Sequence, residues 1–158
     1  MPTYRVFVYG TLKRGEPNAH IMSNPKTGKH KFVGGAVTKE AYPLFVAGQW
    51  NIPFMLGEEG KGFRIHGELY DVDEAKLKAL DTLEGHPTVY QRTLRPVIPD
   101  GKNANDDDAV EEVWMYTLKR YDPRLDETKT KLLDRYYNGV EGRFYMKHEV
   151  VKSNDNLI

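Results

Sequence analysis

Six short runs rich in Val, Phe, Tyr and Thr, at 4–9, 31–40, 44–47, 62–71, 89–98 and 110–118, punctuate this chain and commit it to a strand-dominated fold. The run 63–71 alternates, with Phe63, Ile65, Gly67 and Leu69 on one face and Arg64, His66, Glu68 and Tyr70 on the other. His66 and Glu68 therefore share a face, read here as the solvated face of an antiparallel sheet. One helix is well marked: Asp73 caps it, Glu74 lies in its first turn, Leu77, Leu80 and Leu83 recur at three-residue spacing, and Gly85 then Pro87 end it. A shorter helix is expected at 19–23 with Asn18 as its cap, and another near 127–137.

At 158 residues the chain suits one domain, taken as 1–150, followed by a polar tail at 151–158. Twenty-three basic residues balance twenty-three acidic ones, so no global field recruits nucleic acid or an anionic membrane, and the expected partner is a small molecule bound by a monomer. Cysteine is absent, as are an N-x-Ser/Thr sequon, an apolar leader and a membrane-length apolar run, a combination that fits a soluble, cytoplasmic protein.

Composition also narrows the chemistry. The serines, Ser23 and Ser153, sit in no nucleophile elbow, and with no cysteine a covalent mechanism is disfavoured. The histidines, His20, His30, His66, His86 and His148, never pair at metal-ligand spacing, so no metal or other cofactor is expected. Carboxylates, tyrosines, threonines and backbone dipoles remain. The acidic stretch 100–112, with Asp106, Asp107, Asp108, Glu111 and Glu112, reads as a long solvated hairpin loop, because like charges so close together need water.

Two places stand out against that background. Directly after the first strand comes Tyr9-Gly10-Thr11-Leu12-Lys13-Arg14-Gly15, whose glycines permit a tight turn and close approach of a ligand to successive backbone N–H groups. The plainer alternative is a strand, a turn and a helix cap. At the far end of the marked helix stands Glu84, beside Leu83 of the apolar stripe; burial and the negative helix terminus both favour its protonated form. A carboxyl with a pKa near neutrality can act as both base and acid, although a half-exposed helix-end glutamate would look the same in sequence. Tyr90 and Arg92 follow on the next strand at period-two spacing, either holding substrate or decorating the sheet. The stretch 42–56, aromatic and broken by Pro43, Gly48 and Pro53, reads as core or pocket wall rather than helix.

Taken together, Tyr9-Gly10-Thr11-Leu12 with Gly15 and Asn18, Tyr42-Pro43-Leu44, Asn51-Ile52-Pro53, Leu80-Asp81-Thr82-Leu83-Glu84 and Tyr90-Gln91-Arg92-Thr93 resemble the γ-glutamylamine cyclotransferases of the γ-glutamylcyclotransferase-like (AIG2-like) superfamily. The resemblance runs in order over about residues 4–98 and extends to the strand before Tyr116. It implies an α+β fold, a small mixed β-barrel-like sheet with a few short flanking helices and a cavity at the barrel mouth. It also implies release of a free amine and 5-oxoproline from L-γ-glutamylamines such as γ-glutamyl-ε-lysine, the remnant of a proteolysed transglutaminase crosslink. Under it, the loop Tyr9, Gly10, Thr11 and Leu12 binds the γ-glutamyl group, Tyr90 and Arg92 contribute to binding, and Glu84 is the catalytic acid/base. Lactam closure by the substrate's own α-amine needs no enzyme nucleophile and no cofactor, in keeping with the missing cysteine. Two alternatives stand beside this reading: a non-catalytic binding module that keeps the pocket, and a cyclotransferase for other γ-glutamyl amino acids.

Overall fold

The computed structural model describes residues 2–103 and 105–147. The expected tail at 151–158 lies outside the described residues. Seven strands and two α-helices follow in order: β1 (Tyr4–Val8), α1 (Ala19–Ser23), β2 (His30–Tyr42), β3 (Leu44–Ala47), β4 (Ile52–Met55), β5 (Phe63–Val72), α2 (Glu74–Glu84), β6 (Tyr90–Pro99) and β7 (Glu111–Leu118). Five of them form a closed barrel in the order β1-β5-β2-β6-β7. Every pairing is antiparallel except the closing one, where β1 runs parallel to β7 with Val6 opposite Trp114. The long β2 bends through two register shifts, between Phe32 and Gly34 and between Val37 and Ala41, which lets it pair with both β5 and β6. The α+β barrel with few short helices is therefore the fold.

Strand periodicity divides the interior in two. Val6 and Val8 of β1 join a cluster that includes Leu77 and Leu80 of α2, whereas Phe7 of β1 and Tyr9 just beyond it join a second cluster with Ile65, Leu69, Val113 and Met115. The β3–β4 hairpin, pairing Leu44 with Met55 and Ala47 with Ile52, is buried on both faces and contributes to both clusters. This is the aromatic, proline-broken stretch read as core or pocket wall.

The helix α2 begins and ends where its residues dictate. The Asp73 carboxylate accepts from the Lys76 N–H at 2.8 Å, and Gly85 closes the last turn at φ 66°, a left-handed conformation that glycine adopts without a Cβ penalty. Its buried residues are Lys76, Leu77 and Leu80, so a lysine lies fully buried on this helix. The Lys76 ammonium donates to the Ile21 carbonyl (3.1 Å), the Asn24 carbonyl (2.8 Å) and the Thr27 hydroxyl (2.7 Å), and so fastens α1 and the following turn to α2.

Three expectations are corrected. No helix forms near 127–137: a 3-10 turn at Pro123–Glu127 gives way to extended chain, whose Thr130 and Leu133 N–H groups donate to Val46 and Leu44 of β3 at 2.9 and 2.8 Å. The unpaired side of β3 offered those backbone partners, and tertiary pairing overrode local preference. On β5 the alternation fails at both ends, since Phe63 is 51% exposed at the start while Leu69 and Tyr70 are both buried near the finish. Both surfaces of a barrel strand can be covered, and Glu68 is drawn in accordingly, its side chain only 15% exposed and accepting from the Arg14 N–H (2.8 Å) and Arg14 Nε (3.1 Å). Finally, Asn18 makes no capping bond to α1; its amide donates to the Thr11 hydroxyl at 3.0 Å.

The acidic stretch forms the exposed β6–β7 connection around a 3-10 turn at Asp107–Ala109, although its last residues enter β7, where Glu111 accepts from Arg5 at 2.9 Å.

Candidate active site

A cavity of about 450 Å³ opens where β1 ends, a size that suits a small ligand. The loop Tyr9, Gly10, Thr11 and Leu12 forms one wall. It is folded by its own backbone, with the Lys13 N–H donating to the Gly10 carbonyl (3.2 Å) and the Asn18 N–H to the Thr11 carbonyl (2.8 Å). The N–H groups of Gly10, Thr11 and Leu12 have no protein acceptor among the described residues. Three successive free donors beside a cavity form a concavity suited to an oxyanion or carboxylate.

Opposite the loop, Ile52 and Pro53 of the hairpin, Leu83 and Glu84 of α2, Tyr90 of β6 and Tyr116 of β7 complete the walls. Glu84 sits at the last helical position, placed there by the Gly85 stop. Its carboxyl makes no hydrogen bond or ion pair among the described residues, and burial lifts its pKa from 4.5 to about 7. Burial is the operative cause. An acid partly buried in a cavity wall, unpaired among the described residues and titrating near neutrality, is equipped to take up and return a proton.

The surrounding phenols keep their protons. Burial, reinforced by the nearby Glu84 charge, pushes Tyr9, Tyr90 and Tyr116 well above the ordinary tyrosine range. Each is committed elsewhere: Tyr9 donates to the Tyr116 carbonyl (2.7 Å), Tyr90 to the Pro53 carbonyl (3.2 Å) and Tyr116 to the Asp81 carboxylate (2.6 Å). Among the described residues, Glu84 is thus left without a donor of its own.

Six of the seven residues singled out in the sequence, Tyr9, Gly10, Thr11, Leu12, Glu84 and Tyr90, line this one cavity. Arg92 does not. Its guanidinium grips Asp81 through Nε (2.8 Å) and Nη2 (3.1 Å) and lies 4.3 Å from the Trp114 ring centre. Burial pushes the Asp81 carboxyl up, but the hydrogen bonds from Arg92 and Tyr116 outweigh it and hold the group below the usual carboxylate range. Sequence reading missed Asp81 in this role, as it missed Tyr145 and Lys147, which line the cavity from the far end of the described chain. Nothing in local patterning ties residues so distant in sequence to the first loop.

The gamma-glutamyl cyclotransferase, AIG2-like family description matches residues 6–139, and the chain belongs to that family. Membership places it in a class of cyclotransferase enzymes. Among its relatives, gamma-glutamylaminecyclotransferase B of Danio rerio is 41% identical, covering 91% of this chain and 74% of its own. The gamma-glutamylaminecyclotransferase of Rattus norvegicus is 41% identical over 75% of this chain and 80% of its own. The crystal structure of an AIG2-like protein from Mus musculus superimposes with a TM-score of 0.84 at 36% identity, covering 94% of this chain and 99% of that one. No described helix is long and apolar enough to cross a membrane.

Proposed function

We infer that this protein converts L-γ-glutamylamines to 5-oxoproline and a free amine, with γ-glutamyl-ε-lysine as substrate and lysine as the amine released. The observation that carries the reading is Glu84, a carboxyl unpaired among the described residues with a pKa of about 7, lining the same cavity as the loop whose three amides have no protein acceptor there. Family membership and the γ-glutamylamine names of the relatives support it.

The chemistry follows from those groups. The α-nitrogen of the substrate attacks its own γ-carbonyl carbon, a C–N bond closes the five-membered ring, and the bond to the departing nitrogen breaks. Glu84 takes a proton from the attacking nitrogen and returns it to the departing one, so the enzyme ends as it began. Amides of the Gly10–Leu12 loop hold the α-carboxylate or the developing oxyanion. Holding the glutamyl chain folded supplies much of the acceleration, since well-oriented intramolecular attack reaches effective molarities on the order of 10⁵ M. Arg92, bound to Asp81, acts through α2 rather than on substrate. The same reading takes the protein as a cytoplasmic monomer serving recovery of lysine from crosslinked protein.

The test is incubation with L-γ-glutamyl-ε-lysine, glutathione and γ-glutamyl-alanine, followed by mass spectrometry for 5-oxoproline and free amine, with Glu84→Gln as control. Lysine and 5-oxoproline from the wild type alone support the reading. Turnover confined to another substrate moves the protein to a different γ-glutamyl pathway, and binding of 5-oxoproline without any turnover makes it a binding module.

A further inference from the structure

Residues 143–147 form a strap beside the cavity, beyond the 6–139 matched by the family description. It is pinned to the tip of the β3–β4 hairpin: the Arg143 guanidinium donates to the Asn51 side-chain oxygen (2.6 Å), the Asn51 amide to the Phe144 carbonyl (2.8 Å), and the Met146 N–H to the Trp50 carbonyl (2.9 Å). The extended strap alternates. Phe144 and Met146 are exposed, whereas Tyr145 and Lys147 line the cavity.

Lys147 is the single lysine or arginine among the described lining residues, and Glu84 the single acid. The lysine is exposed although it lines the cavity, which puts it at the open rim. Its ammonium makes no ion pair or hydrogen bond among the described residues. The cavity is therefore polarised: reacting groups at Glu84 and the loop, a lone positive charge at the exit.

Resting on the cyclotransferase reading, we propose that Lys147 binds a carboxylate on the departing amine, so that the favoured γ-glutamylamines are those whose amine is itself an amino acid. The substrate can sit only one way round, since its α-amine and γ-carbonyl must lie at Glu84 and the departing chain must point to the rim. In an ε-linked lysine the carboxylate lies a full side-chain length from the scissile bond, at the end that reaches the rim. The loop amides serve the glutamyl end, which leaves Lys147 for the other anion.

The experiment compares kcat/KM for L-γ-glutamyl-ε-lysine and for γ-glutamyl-cadaverine, which lacks only the lysine carboxylate, in wild type, Lys147→Met and Lys147→Arg. The wild type is expected to prefer the carboxylate-bearing substrate, and Lys147→Met to reduce that preference by about two- to fivefold, as for a solvent-accessible ion pair. Lys147→Arg retains the preference, and added salt weakens it in the wild type. Equal loss on both substrates overturns the proposal by placing Lys147 on the glutamyl end, and an unaltered ratio overturns it outright. A wild type that forms 5-oxoproline from neither substrate, or from another class alone, instead removes the reading beneath it.

Discussion

Arg92 of β6 holds Asp81 of α2 through both carboxylate oxygens, at 2.8 and 3.1 Å, one helical turn before Glu84. The Arg92 N–H also donates to the His86 Nδ1 at 3.0 Å, and Tyr116 adds a third donor to Asp81 at 2.6 Å. The end of α2 is thereby tied to two barrel strands on either side of the cavity residue, without any of these bonds reaching the Glu84 carboxyl.

Breaking that tie is expected to cost both stability and orientation. Arg92→Met leaves a half-buried carboxylate with one donor, a loss of about 1–3 kcal/mol. If Arg92 positions Glu84, kcat of the folded variant falls more than KM rises, and Arg92→Lys, which cannot make the two-point grip, recovers only part of either. A folded Arg92→Met protein with wild-type kcat would show that the pair is structural alone.

Activity is expected to rise with pH through an inflection near 7. Glu84 accepts the proton as a carboxylate, and burial sets its pKa at about 7, so kcat/KM falls below that value as the base is protonated. Rates measured from pH 5 to 9 check this, and a flat profile across 6 to 8 contradicts the assignment.

The same group makes stability depend on pH in the opposite sense. Its folded pKa, about 7, lies above the ordinary 4.5, so the native state binds the extra proton and is most stable below 4.5. Stability declines as pH rises through that interval and levels off above 7. Glu84→Gln removes the penalty, and its gain over wild type grows to roughly 3 kcal/mol by neutral pH. Urea midpoints at pH 4.5 and 8 measure it; a pH-independent difference would contradict a buried, unpaired acid.

Gly67 is expected to resist substitution. A Cβ there would lie 2.5 Å from the Val8 carbonyl oxygen and 2.6 Å from the Phe7 ring, where β5 passes the end of β1. Neither neighbour can retreat without opening the barrel beside the cavity loop. Gly67→Ala therefore destabilises by about 1–3 kcal/mol, read as a lowered melting temperature, with loss of activity following the shift in the loop.

Glu84 illustrates how far local patterning reaches. A leucine stripe and a glycine stop place a carboxylate at a helix end, and both are written in consecutive residues. That the carboxyl is unpaired among the described residues, and that burial raises its pKa, depends on the packing around it, where the hydroxyls of Tyr9, Tyr90 and Tyr116 are committed to backbone and Asp81. Arg92 shows the converse. Period-two spacing puts it on a strand beside Tyr90, but only the packing of α2 against β6 supplies Asp81 and takes it away from the cavity.

By itself the sequence determined six of the seven described strands, missing β4, and it determined the capped helix α2, the glycine loop and the glutamate, because each rests on contacts within a few residues: alternation, a cap, a left-handed stop. Tertiary structure alone decided which strand closes the barrel, why 128–134 pairs with β3 instead of coiling, and how a strap more than a hundred residues from the loop brings Lys147 to the same cavity. Those outcomes depend on backbone donors and acceptors satisfied across long sequence separations, where no local pattern registers the partner.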